Sequence, residues 1–269
     1  MTRYPAYPRI TRGIFAAHEK WQSVWPFSTG RYSFLHVIDL AVAAGRVPPS
    51  WIRLPQGFEM WLDASDYVQH EILVHEAWAP EITAIFQEIL KPGDFIVDIG
   101  ANVGYFSLLA ATLVGPSGHV IAFEPNPEIF SRLKANIARN GFSIKAYQCA
   151  CSETEGTISL YVNGTGNSGA SSMSQANAAG NTSREVNCII PDTLIEGQAR
   201  PKLIKIDVEG AEMLVLRGLR KTLAAHPFLC LEVDDRKLMP MGTNSNEVLE
   251  YLSSFGYKTT RVGMDVFAH

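Results

Sequence analysis

The strongest constraint on the fold is a change of rhythm at Asp94. From there, short apolar runs that end in an acid or a glycine alternate with stretches of helix length. Residues 95–98, closed by Gly100, read as a buried strand, and residues 103–113 as a helix stopped by Gly115 and Pro116. A strand at 119–123, a helix at 127–140 stopped by Gly141, and a third strand at 143–150 follow. Residues 202–208, 211–225 and 228–233 continue as strand, helix and strand; 247–255 is a last helix and 257–262 is strand-like. Parallel neighbours need a crossover, so this alternation predicts an α/β, mostly parallel, doubly wound sheet with helices on both faces. Ligands of such sheets bind at the carboxyl ends of the strands, where the strand order reverses.

The N-terminal third is chemically different. All five tryptophans, Trp21, Trp25, Trp51, Trp61 and Trp78, precede residue 80. The chain therefore divides into an aromatic-rich extension, 1–90, and the α/β domain, 91–269. A helix is expected over 34–44, ended by Gly45 and Pro48-Pro49, a hairpin over 52–62 around Gln56-Gly57, and a helix over 71–90 stopped by Pro92-Gly93. Trp and Tyr are enriched at interfaces, so the extension is expected to cap the crevice or form a homodimer contact, with ordinary core packing as the alternative. Within the domain the alternation lapses once. Strand-like residues 157–162 and 185–190 flank residues 163–181, rich in Gly, Ser, Asn and Ala. That composition buries little surface, so a mobile loop beside the crevice is expected.

Composition narrows the partners. The net charge is −4 and no basic run stands out, so nothing favours a nucleic acid. No apolar stretch approaches the roughly 20 residues of a membrane span, and residues 1–10 lack the order of a signal peptide; a cytoplasmic protein is expected. Cys149, Cys151, Cys188 and Cys230 form no C-x-x-C pair and read as small buried residues in a reducing compartment.

Three motifs carry chemistry. The first is Val97-Asp98-Ile99-Gly100-Ala101-Asn102-Val103-Gly104 at a strand-to-helix turn. Its glycines permit a tight turn and close backbone approach, and the helix after it offers free N–H groups. The G-x-x-x-G spacing is not the G-x-G-x-x-G of dinucleotide enzymes, and the carboxylate of Asp98 suits a ligand with a cationic centre. The second is Glu124, ending the next strand in Phe123-Glu124-Pro125-Asn126, where an acid accepts hydrogen bonds from ribose hydroxyls. Pro125, Asn126 and, at the end of the third strand, Ala150 and Cys151 complete the candidate cofactor set. The third is Lys205-Ile206-Asp207-Val208-Glu209-Gly210-Ala211-Glu212, which ends a buried strand at the crevice. Strand alternation puts Lys205, Asp207 and Glu209 on one side. The plain alternatives are an ion pair for Lys205 and a helix start for Glu212.

These motifs, with Gly93-Asp94 before the first, Pro127 after the second, Ser152-Glu153-Thr154-Glu155-Gly156 and Val215-Leu216-Arg217-Gly218, make residues 93–233 resemble the FkbM-type methyltransferases. The resemblance implies a Rossmann-like sheet with a reversed last strand, although residues 263–269 leave little room for one. It also implies S-adenosyl-L-methionine as methyl donor and a hydroxyl acceptor on a sugar or natural-product small molecule. A hydroxyl is a weak nucleophile and needs a general base, worth roughly 10²–10⁴-fold. Asp207 is the first candidate by position and Glu209 the second, each with a raised pKa expected for want of a basic partner; Glu232 is placed to assist. These acids also present oxygens to a divalent ion, but no metal is assigned. A non-catalytic nucleoside-binding module and a nicotinamide oxidoreductase are the competing readings.

Overall fold

The computed structural model describes residues 47–162, 166–178 and 182–269. The helix expected over 34–44, with Trp21 and Trp25, lies outside them. The chain forms two compact units, Met1–Trp78 and Ala79–His269.

In the first unit the expected hairpin is present. Strands β1 (Ser50–Arg53) and β2 (Glu59–Leu62) pair antiparallel. Trp51 and Trp61 face each other across them, edge to face at 5.6 Å. Helix α1 (Tyr67–His75) starts where Asp66 accepts a hydrogen bond from the Gln69 N–H at 3.0 Å. The single helix expected over 71–90 is in fact two. Glu76 and Ala79 have φ of 59° and 41°, which no helix accommodates, and α2 (Pro80–Ile89) starts afresh in the second unit. Pro80 suits a first helical position, because its missing N–H has no partner there in any case.

The second unit alternates as its sequence predicts. In chain order it holds β3 (Phe95–Ile99), α3 (Tyr105–Val114), β4 (His119–Phe123), α4 (Pro127–Asn140), β5 (Ile144–Tyr147), β6 (Ala150–Cys151), β7 (Gly156–Val162) and β8 (Thr182–Ile189). Then come α5 (Asp192–Ile195), β9 (Leu203–Ile206), α6 (Glu212–Gly218), α7 (Arg220–Leu223), β10 (Phe228–Glu232), α8 (Asp235–Leu238), α9 (Ser245–Ser254), β11 (Thr259–Val262) and β12 (Asp265–Ala268). The main sheet has seven strands in the order β11-β12-β10-β9-β3-β4-β5. From β3 the chain runs outward through β4 to β5, then returns to pair β9 on the other side of β3. The strand order therefore reverses between β3 and β9.

Alternation along the strands separates two layers. Val97, Ile99, Ile204, Ile206, Leu229 and Leu231 share one buried cluster with Val215, Leu216, Val248 and Leu252 of the helices α6 and α9. Each such side chain contributes roughly 1.5–3 kcal/mol when fully buried. Asp98 and Lys205 sit at the alternate positions, toward α3, and are partners across β3 and β9.

Two expectations are corrected. The third strand stops at Tyr147, and Ala150–Cys151 pairs instead with β8 in a separate sheet of order β6-β8-β7. The last strand, for which the tail seemed too short, exists. Gly263, at φ 65°, begins a tight turn, so four residues of β12 suffice to pair four of β11 on one side and four of β10 on the other, antiparallel to both. The four cysteines are free and buried, and no helix among the described residues is long and apolar enough to cross a membrane.

Candidate functional site

The glycine turn is tied to both neighbouring strands. Gly100 and Ala101 donate their N–H groups to the Phe123 carbonyl at 3.0 and 2.9 Å, and Asp207 donates its own to the Ile99 carbonyl at 2.9 Å. Gly100 has φ 83°, and a β-carbon there would meet the Asp207 carbonyl oxygen. Gly104 has φ 97°, and a β-carbon there would lie 2.5 Å from Leu133 Cδ1 of α4. What these glycines admit is thus protein: a strand end and a helix. Helix α3 follows with no side-chain cap at Gly104, so its first-turn N–H groups have no side-chain acceptor from that residue. Asn136 of α4, not singled out from the sequence, holds the turn from below by donating to the Val103 carbonyl at 2.8 Å.

Glu124 is built into this turn. Its Oε2 accepts the Asn102 N–H at 2.9 Å and its Oε1 the Asn126 N–H at 2.8 Å. A carboxylate oxygen has room for a second donor, so both remain able to accept a hydroxyl. Burial pushes the Glu124 pKa up to about 7, against the pull of the two N–H groups. Asn102 itself has φ 50°, a costly conformation for a residue with a side chain. Its Oδ1 accepts the Val103 N–H at 2.6 Å. Asn126 caps α4, accepting the Glu128 N–H at 3.1 Å, and Pro125 is half-buried beside it. Ala150 and Cys151 are buried in the small sheet.

Asp98 is closed off beneath the turn at 1% exposure, so it offers no open carboxylate. Its Oδ2 accepts the Ser107 hydroxyl at 2.6 Å, and its buried Oδ1 has no partner. Burial raises its pKa despite Lys205.

The acidic motif forms the other wall. Buried Lys205 donates to Asp207 Oδ2 at 2.9 Å, and its ammonium stands 5.0 Å from the Phe106 ring centroid. Burial would raise the Asp207 pKa, but the charge and the hydrogen bond of Lys205, joined by the charge of Lys237, together outweigh it and the net shift is downward. The expected rise therefore fails for Asp207, because its basic partner is two residues earlier on the same side of the strand. It holds for Glu209, pushed up to about 8 by burial and then by Asp207. Glu209 has φ 56° and is half-buried. Glu232, ending β10, is likewise raised by burial. Glu212 is buried at the start of α6, where its Oε1 accepts the Val208 and Gly210 N–H groups, both at 3.2 Å. The helix-start reading accounts for it.

Lys237 on α8 was not visible as a site residue in the sequence. Its Nζ lies 2.6 Å from Glu209 Oε2 and donates to Glu232 Oε1 and Oε2 at 2.8 and 2.7 Å. Asp207, Glu209 and Glu232 bring one oxygen each within 4.8 Å of one another, a cation-sized cluster.

The segment expected as a loop joins the two walls. Ser168 donates to Asn102 Oδ1 at 3.2 Å, and Ser172 to the Glu209 carbonyl at 2.7 Å. Asn177 Nδ2 donates to the carbonyls of Glu209 and Lys237 at 3.0 and 2.8 Å. Ser172 also exchanges both backbone hydrogen bonds with Tyr161 of β7. Residues 166–178 thus form a strap from the glycine turn to the acid cluster.

The model of the FkbM methyltransferase domain matches residues 98–259. Among curated proteins, hexuronic acid methyltransferase AglP of Haloferax volcanii is 28% identical over 57% of this chain and 61% of its own length. The 31-O-demethyl-FK506 methyltransferase FkbM of Streptomyces tacrolimicus is 34% identical over 48% and 61%. The chain thus spans less than two thirds of either relative. A solved FkbM methyltransferase from Methylobacillus flagellatus superposes with a TM-score of 0.44 at 17% identity, covering 75% of this chain and 52% of that one.

Proposed function

From the premise that the chain belongs to the FkbM methyltransferase family, we propose that it transfers a methyl group from S-adenosyl-L-methionine to a hydroxyl of a glycan or small molecule. The observation that carries this reading is the meeting, at the strand-order reversal, of a carboxylate with spare acceptor capacity and a cluster of half-buried acids. Glu124 is held by two backbone N–H groups and keeps an acceptor position on each oxygen, which supports its pairing with a vicinal diol such as a ribose. Asp98 Oδ1, buried beneath the turn, is a polar atom that the protein leaves without a partner. The residues present fit the nucleoside end of the cofactor.

When bound, the cofactor supplies a sulfonium-activated methyl carbon, whose bond to sulfur breaks as the new bond to the acceptor oxygen forms. The protein's part is to orient the hydroxyl, exclude water and take up its proton. Glu209 is the better proton acceptor of the two candidates. Its pKa of about 8 lies near neutral pH, whereas Asp207 is neutralised by Lys205 and is a weaker base. Asp207 is then the orienting group. The names of the two relatives, one a hexuronic acid methyltransferase and one acting on an O-demethyl natural product, support a sugar or natural-product hydroxyl.

Calorimetry with S-adenosylhomocysteine, then turnover of methyl-labelled S-adenosylmethionine against glucuronic acid and hydroxylated natural products, tests the reading. Binding near micromolar and label in an ether product are expected. No binding of S-adenosylhomocysteine to folded protein would defeat the cofactor assignment, label in an ester would replace the hydroxyl acceptor by a carboxyl, and label in an amine would defeat O-methylation.

A further inference from the structure

Three carboxylates at the end of two adjacent strands, oxygens within 4.8 Å, are the usual material of a divalent-cation site. This cluster differs in having its positive charge already built in. Lys205 takes Asp207 from the buried side of the sheet. Lys237 takes both Glu209 and Glu232, its ammonium within 2.6–2.8 Å of three of their oxygens.

The placement of Lys237 is fixed by its backbone as well as its charge. A β-carbon on Gly210, at φ 106°, would lie 2.3 Å from the Lys237 carbonyl oxygen, so the segment after β9 and helix α8 touch main chain to main chain. Asn177 of the strap then bridges the carbonyls of Glu209 and Lys237. The neighbouring basic residue, Arg236, is turned outward onto Asp234 and is not drawn into the cluster. Two loops and the strap therefore converge on holding one ammonium between two carboxylates.

We infer that Lys237 is the built-in counter-ion and positioning residue of the acceptor site, standing where a divalent cation would otherwise bind and holding Glu209 and Glu232 in place. The inference rests on the methyltransferase reading for the word acceptor, but not for the chemistry of the cluster. Three carboxylates against two ammoniums leave a net charge of −1 when all are ionised. A divalent ion entering this cluster would meet two fixed positive charges, and like charges in a half-buried site repel more strongly than in water. The acceptor's hydroxyl proton passes to a Glu209 oxygen, and the resulting neutral carboxyl stays beside Lys237, which keeps its own proton. No metal-bound oxygen is required.

The test uses the full chain with Mn²⁺ as probe, read by electron paramagnetic resonance, with neither cofactor nor acceptor present. Wild type is expected to hold no Mn²⁺ at a concentration where Lys237→Met holds one per chain, at least tenfold more tightly. Lys237→Arg, which keeps the charge, is expected to behave as wild type. Adding Glu209→Gln to Lys237→Met should abolish the new site and so locate it. Thermal melts establish that each variant is folded. Wild type and Lys237→Met binding Mn²⁺ with equal affinity would overturn the inference, as would a folded Lys237→Met that gains no site. Because this readout involves no methyl transfer, failure of the methyltransferase reading shows separately, as absence of S-adenosylhomocysteine binding to wild type.

Discussion

A β-carbon on Gly100 would stand 1.8 Å from the carbonyl oxygen of Asp207, a distance no side chain can occupy. The glycine turn and the acidic motif, far apart in the sequence, are thus packed main chain against main chain. Gly100→Ala must push the strand ends apart and adopt φ near 83°, so a loss of roughly 2–4 kcal/mol is expected. Urea unfolding measures it. A loss below about 1 kcal/mol, within the range of an ordinary glycine substitution, would mean that the contact relaxes freely.

Glu124→Gln keeps the shape of the site but removes its charge. Cofactor-product affinity is expected to fall by about 1.5–3 kcal/mol, the range for a hydrogen bond to a charged group. The pH dependence gives a second check. With the Glu124 pKa near 7, the carboxyl gains a proton as pH falls through that value and accepts hydroxyl hydrogen bonds less well. The Kd of wild type for S-adenosylhomocysteine should therefore rise from pH 8 to pH 6, and that of Glu124→Gln should rise less. Parallel calorimetric profiles for the two proteins would remove Glu124 from the binding site.

Asp207→Asn and Glu209→Gln should separate stability from turnover. The first leaves the buried Lys205 ammonium without its nearest partner, which costs about 3–5 kcal/mol when a buried pair is broken. The second removes a carboxylate whose ionisation burial already opposes, so little stability is lost, while turnover falls by roughly 10²–10⁴-fold. Chemical unfolding and single-turnover rates on both variants make the comparison. Wild-type turnover in Glu209→Gln would return the role of base to Asp207.

The carboxyls raised by burial fix the sign of the pH dependence of folding. Glu124, Glu212 and Glu209 rise to about 7, 7 and 8, and Asp265 to about 6. Between their unfolded values and these, the folded chain binds more protons than the unfolded one. Ligand-free stability is then fully present below the unfolded pKa values and is lost as pH rises through the folded ones, by roughly 1.4 kcal/mol per pH unit for each proton. Melting temperatures should be higher at pH 6 than at pH 8.5. The opposite order would mean that the folded chain binds fewer protons than the unfolded one over this range, against the upward shifts of these carboxyls.

The parts of the fold readable in the sequence were those whose cause is local. Strands β3 and β4 and helix α4 follow from unbroken apolar runs and from Asn126, Pro127 and Gly141 at the helix ends. Glu124 and the 205–212 motif could be placed because strand ends face one crevice whatever the loops do. Lys237 and Asn177 could not, since nothing in their own neighbourhoods marks them. Their partners come from β9, β10 and the strap, and only the tertiary arrangement brings these together. The direction of the Asp207 shift is not legible in the sequence, because burial raises it while Lys205 and the distant Lys237 lower it, and only the tertiary structure sets that balance.

Strand β11 touches the main sheet only through β12, which lies between it and β10. A ribosome makes the outer strand first and the inner one last. While β12 is still unmade, β10 presents an open edge with Leu229 and Leu231 along it, and β11 has nowhere to dock. The nascent domain must therefore wait with one side of its sheet unsealed, a state open to mispairing with other chains. Residues 265–268 cover that edge and tie β11 to the rest of the sheet.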